Sequence, residues 1–402
     1  MRPTNRSTKG LALLWLVLLG TNATGYYSET ELYPYTAYLI LAGTICFSGY
    51  FSKELLSLAS STETYLILAG YAVPLLLMLL SDRSFPRGEY TSQVSLAATI
   101  VVAALLASRP DLDSTLTGAA IAIVCVGAAL NLYELLIQPN TWSTAPGRSA
   151  GFFVNPNISS MALLGYGSVA LLSRVRKLDT LDLFVMVVMA AGVFATFSRT
   201  GILFTPLLFI AVVLMRAAAT PTFQRATGTF VIAALCFFLV SYVVSNVDLS
   251  EDAAIRLSSL EEQGAVGDYE QERGYLVAQA LETIAGPDAL IFGSGPLSSY
   301  DLPDTVHNMY VALILDYGLV GLCLYLFVLI RLAVLAKAAS PRSLRIVWGI
   351  VGWLALWSVA SHNILGDGAT IALLGIALAH ARREAWLPRG PVLGWRNVAR
   401  LQ

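Results

Sequence analysis

The chain reads as a succession of apolar runs separated by short polar gaps, many of them close to the length that spans a bilayer as a helix. A hydrocarbon core of about 30 Å demands roughly 17–25 predominantly apolar residues of each crossing helix. Twelve runs meet or approach that length: 10–23, 33–51, 65–80, 94–107, 115–137, 159–172, 183–197, 202–215, 229–247, 309–334, 346–360 and 370–379. The pattern predicts an all-α, polytopic membrane protein of about twelve transmembrane helices, forming a single transmembrane domain over 1–402. One connection stands apart. Residues 248–306 form a long external loop within that domain, with twelve acids and only two arginines. It contains a helix candidate, "ERGYLVAQALETIAGP", in which Val277, Leu281 and Ile284 share one face and Gly286-Pro287 stops the helix.

Lysine and arginine collect in cytoplasmic loops. With the N-terminus inside, nineteen of the 25 basic residues fall on the cytoplasmic side. Arg83, Arg87, Arg148, Arg199, Arg256 and Arg273 fall on the other. Both termini are therefore expected in the cytoplasm. The first run follows Arg2, Arg6 and Lys9 and has the look of a signal peptide. No small-x-small cleavage site follows it, so a retained first helix is expected.

Composition agrees with lipid as the solvent: of 402 residues, 56% are hydrophobic and 13% charged, against about 25% charged in soluble domains. A net charge of −1 says nothing about partners by itself, since the distribution of charge carries the information; no nucleic-acid partner is expected. Cys46, Cys125, Cys236 and Cys323 lie inside apolar runs without metal-binding spacing and are expected as buried free thiols. Neither a metal nor a cofactor is implied.

Four polar clusters fall on the external side. "GRSAGFFVNPNISS" carries Arg148, Asn155 and Asn157. It reads as a turn that Asn157 could end by capping the next helix, or as part of a site. "FSRTG" sets Arg199 at the boundary between two apolar runs. There a guanidinium either snorkels to the interface or holds an anion bidentately. Arg273 opens the loop helix beside Glu270 and Glu272, which could simply neutralise it. His307 opens the tenth run, followed by Asn308 and Tyr310, and is suited to accept a proton from a hydroxyl. On a continuous helix Asp316 would lie about 13 Å deeper, at ~1.5 Å per residue, so it could not orient His307. Gly318 and Gly321 read as a close helix contact.

Weaker signals are the "DLD" of Asp111 to Asp113, which faces the cytoplasm, and the "GSGP" turn at Gly293 to Pro296. His362 is a second-choice base, and His380 faces the cytoplasm.

In this order, the clusters resemble the O-antigen ligase and polymerase family of bacterial envelope glycosyltransferases. The resemblance rests on "GRSAGFFVNPN", "SRTG", the long loop with Arg273, and His307-Asn308 followed by Gly318-x-x-Gly321. It implies a GT-C type fold in the bacterial inner membrane and a metal-independent transfer on the periplasmic side. The implied donor is a glycan on undecaprenyl diphosphate. For a ligase the implied acceptor is a sugar hydroxyl of lipid A-core; for a polymerase it is a second lipid-linked repeat unit. By the same resemblance Arg199 and Arg273 hold the diphosphate, His307 is the base, and Arg148, Asn155, Asn157, Asn308 and Tyr310 line the site. A ligase is favoured by the histidine signature, and no Arg-x10-Gly repeat of the kind associated with some polymerases is present. A multi-span lipid or drug transporter is the competitor from another class. It fits less well, since the halves look unrelated and the polar residues gather externally rather than at the midplane.

Overall fold

The computed structural model describes residues 4–23, 35–81, 83–174, 179–217, 250–263, 274–284, 286–302, 306–361 and 364–383. The expected ninth run, 229–247, lies outside the described residues, as do Arg273, His362 and Cys236. Among the described residues every regular element is helical. The sequence folds into α1 (Arg6–Gly20), α2 (Tyr35–Tyr50), α3 (Ser52–Ala59), α4 (Thr62–Leu80), α5 (Arg87–Ala107) and α6 (Asp113–Leu136). These are followed by α7 (Pro156–Leu172), α8 (Thr180–Ala195) and α9 (Arg199–Ala217). Next come α10 (Glu251–Gln263), α11 (Gly274–Glu282), α12 (Gly286–Phe292), α13 (Met309–Leu335), α14 (Pro341–Trp357) and α15 (Gly368–Arg382).

All eleven apolar runs within the described residues are helical. Among the described residues four segments can by length and composition cross a membrane alone: Thr62–Leu80, Gly88–Ala107, Pro110–Leu136 and Met309–Ala338. The α2–α3 pair, bent by 100°, is a fifth candidate. The fold is thus that of an apolar helical bundle typical of membrane proteins, and the described residues do not confirm the expected count of about twelve spans.

The core explains why some helices are short. All of α7 except Asn157 is buried, and α15 is buried from Ala369 to Ala381. A helix apolar on every face belongs inside a bundle. Both are enclosed by neighbouring helices. On the outside, Ile45, Leu79, Leu80, Leu214 and Ile330 stand exposed, as side chains facing lipid would. The expectation of buried thiols is corrected here. Cys46 and Cys323 are exposed on outward helix faces and Cys125 is half-buried.

One end of the bundle is tied by ion pairs. Glu63 accepts from Arg331 and Arg382, and Asp113 from Arg342 and Arg383. Arg109 pairs with Glu54 at 3.0 Å and Asp111 at 2.9 Å. The Asp111 carboxylate holds the Arg109 guanidinium above its ordinary value, against the opposing effect of burial. The "DLD" acids are therefore committed to arginines.

The largest departure from expectation is in α13. Gly318 takes φ 65°, ψ −166°, a region open essentially to glycine alone. The chain folds back there. Leu313 O lies 3.6 Å, and Tyr317 Cβ 2.4 Å, from where a Cβ on Gly321 would stand. The Tyr310 and Tyr325 rings meet at 6.3 Å. The continuous tenth span over 309–334 is thus corrected to two helical halves joined at Gly318. Gly318 is a close helix contact as expected, its missing Cβ leaving room for the backbone of α12 at Ile291 and Phe292. Asp316 does not lie deeper than His307 along a straight helix; it stands next to the bend. There its carboxylate accepts from Ser299 N (2.7 Å) and Ser299 Oγ (3.1 Å). The carbonyls of Leu315 and Asp316, freed by the break, accept from Ser294 N and Gly295 N. The "GSGP" segment is the plug of that break.

The long loop holds more structure than the one helix expected. Val277 and Ile284 pack with Ala280 against Val306, Val311 and Leu315. Leu281 is exposed, so the buried face runs through 277, 280 and 284. Gly286-Pro287, expected to stop α11, instead opens α12, and α11 already ends at Glu282.

Candidate functional site

A loop and a tight turn meet at the end of the bundle opposite the ion pairs. The first runs from the end of α6 to the start of α7 and carries Arg148. The second joins α8 to α9 and carries Arg199 as the first residue of α9. Arg148 Nε donates to Thr196 O (3.0 Å), and Arg148 Nη2 donates to Asn157 Oδ1 (2.8 Å). The same Asn157 oxygen accepts from Ser198 Oγ (3.0 Å). Ser198 in turn caps α9, accepting from Gly201 N at 3.3 Å. Asn157 is therefore the bridge between the two turns, and Asn155 is the cap of α7, accepting from Asn157 N (2.9 Å). The expected assignment of the cap to Asn157 is corrected: Pro156 fills the first helical position, which leaves the preceding residue to cap.

Both turns carry strain. Val154 has φ 61° and the fully buried Phe197 has φ 45°, conformations rare for branched or bulky side chains. Such outliers cost about 1–3 kcal/mol each and cluster where geometry serves function. Phe197 packs with Phe194, Leu135 and Ala253, so the start of α10 covers the Arg199 turn.

His307 comes to this end by the fold-back. Asn308 caps α13, accepting from Tyr310 N (3.0 Å) and Val311 N (3.2 Å). Met309 N donates to Ser358 O (2.8 Å), Tyr310 Oη to Ala355 O (2.6 Å), and Tyr325 shares a 2.8 Å bond with Ser358 Oγ. The N-terminus of α13 is thus seated on the end of α14. Phe204 of α9 packs on Trp353 and Trp357 of α14 at 5.5 and 5.6 Å. Arg199 and His307 accordingly stand on elements that share α14 as a neighbour. Asn155, Asn308 and Tyr310, expected to line the site, make internal bonds that set its backbone.

An arginine at a helix N-terminus, with a second arginine bonded to the preceding turn, concentrates positive potential suited to a phosphate or diphosphate. His307 adds a group able to exchange a proton. Among the described residues no cluster of His, Cys, Asp and Glu is arranged to hold a metal.

Two residues that build this site escaped the sequence reading, Glu134 and Ser358. Glu134 had a visible signal, being a carboxylate inside an apolar run. Ser358 had none.

No curated protein matches the chain. Residues 184–326 match the family model described as O-antigen ligase, a segment that includes Arg199, Arg273 and His307 but not Arg148. That family implies glycosyltransferase-like activity on lipid-linked glycans in a membrane setting. Over residues 184–326 the chain thus resembles the O-antigen ligase and polymerase family.

Proposed function

We propose that the protein is an O-antigen ligase of the bacterial inner membrane. It transfers a glycan from undecaprenyl diphosphate to a sugar hydroxyl of lipid A-core on the periplasmic side. The observation that carries this reading is the bonding of the Arg148 turn to the Arg199 turn at the N-terminus of α9, with His307 seated one helix away. The cation-rich end of the bundle is the cytoplasmic one by the positive-inside rule, which puts this site outside.

The acceptor oxygen attacks the anomeric carbon, its C–O bond forms with inversion, and the bond to the diphosphate oxygen breaks. His307 takes the hydroxyl proton. The leaving undecaprenyl diphosphate keeps the bonding pair, and its growing charge is met by Arg199, Arg148 and Arg273. Preorganised cations aimed at developing charge are the strongest lever available to such a site. A leaving group of this kind needs no general acid and no metal.

Purified protein in lipid nanodiscs, given lipid-linked glycan and lipid A-core, tests the transfer directly. The expected product is glycan-capped lipid A-core and free undecaprenyl diphosphate. Elongation of the lipid-linked donor without capping would replace the ligase with a polymerase. Flux of the donor across the membrane without any transfer would overturn the enzyme reading.

A further inference from the structure

We infer that Glu134 is a positioning residue for the proposed diphosphate site, holding in place the loop from which Arg148 projects. This rests on the reading of Arg148 given above. Glu134 is 1% exposed and lies in the last turn of α6, where the negative end of the helix dipole disfavours a carboxylate. It stands there because four backbone N–H groups converge on it. Oε1 accepts from Trp142 N (2.7 Å) and Ser143 N (2.6 Å). Oε2 accepts from Ala150 N (2.7 Å) and Gly151 N (3.0 Å).

The two pairs of donors belong to the two ends of one loop, so a single carboxylate fastens both strands of the turn. Arg148 lies between them. Its reach to Thr196 O and Asn157 Oδ1 depends on where those ends are fixed. Further bonds align the middle of the loop, from Gly147 N to Asn140 Oδ1 (3.0 Å) and from Ser149 N to Ala195 O (3.3 Å). Thr144 N also donates to Val154 O across the loop (3.0 Å), and Glu134 is the side chain that ties both ends to α6. A glutamine there presents an NH2 group to two N–H donors and so opens one side of the loop while keeping the side-chain size.

The test uses the full chain in nanodiscs, with Glu134→Gln, Arg148→Ala and the double variant. Amide hydrogen exchange at 142, 143, 150 and 151 reads the loop, and steady-state transfer reads the donor Michaelis constant apart from kcat. The expected result is exchange faster by about 10- to 100-fold at those amides. The donor Michaelis constant should rise as in Arg148→Ala, and the double variant should be no worse than Arg148→Ala alone. Glu134→Asp, which keeps the charge, should restore both readouts in part, and serves if the glutamine variant does not fold. Unchanged exchange at the four amides overturns the inference. So does a double variant whose defect is the product of the single ones, because Glu134 would then act other than through Arg148. The exchange measurement decides the hold on the loop even where no transfer is detected, which separates its failure from failure of the enzyme reading.

Discussion

The rings of Tyr310 and Tyr325 lie 6.3 Å apart, although an unbroken helix would separate these residues by about 22 Å along its axis. Both side chains are fastened to the end of α14, Tyr310 through Ala355 O and Tyr325 through Ser358. This closure turns one long apolar run into two helical halves and seats His307 at the bundle end that carries Arg148 and Arg199.

Gly318→Ala tests the fold-back. An added Cβ would lie 2.2 Å from Ile291 O, and the backbone region excludes side chains. The variant should lose thermal stability in detergent and lose transfer, with the loop over 291–302 becoming protease-sensitive. Wild-type melting and activity would show that the break is not needed.

His307→Gln should lower kcat by about 10²–10⁴-fold while leaving the donor Michaelis constant near its wild-type value. A parallel rise in that constant would mean that His307 binds the donor instead of accepting the proton.

Arg199→Lys keeps the charge and loses the fork of donors that matches a diphosphate. Transfer should fall about 10²- to 10³-fold, the scale of losing one preorganised donor to developing charge. Wild-type kinetics in Arg199→Lys and in Arg273→Lys would remove the clamp from the mechanism.

Asn157→Leu removes the acceptor shared by Arg148 and Ser198. Losing that half-buried partner leaves donors unsatisfied, at a cost toward the lower end of about 1–3 kcal/mol. The variant should bind donor more weakly, with the melting temperature lowered by a few degrees. Asn157→Asp, which keeps the acceptor, should recover most of the binding.

At the opposite end Glu63→Gln should act on stability alone. The buried Glu63 carboxylate faces Arg331 and Arg382, and removing one member of a buried pair leaves a charge uncompensated. Arg331 is 41% exposed, so water lessens the effect. A lower melting temperature with unchanged donor and acceptor constants is the expected outcome. A changed donor constant would connect the two ends of the bundle.

What could be read in the sequence was whatever depends on local periodicity and on charge. Eleven apolar runs became helices where they were expected, because a run of that length satisfies its backbone only by coiling. The arginine, asparagine and histidine clusters also stood out, since polar groups beside apolar runs are conspicuous. The tertiary structure decided the rest. Whether Gly318 continues a helix or reverses it depends on Ser294 and Gly295 filling the break, and those partners are more than twenty residues away. Glu134 gained its meaning only when four distant N–H groups closed on it. Periodicity records which face of an element is buried, whereas a bend or a hydrogen-bonded loop exists only when separate segments meet.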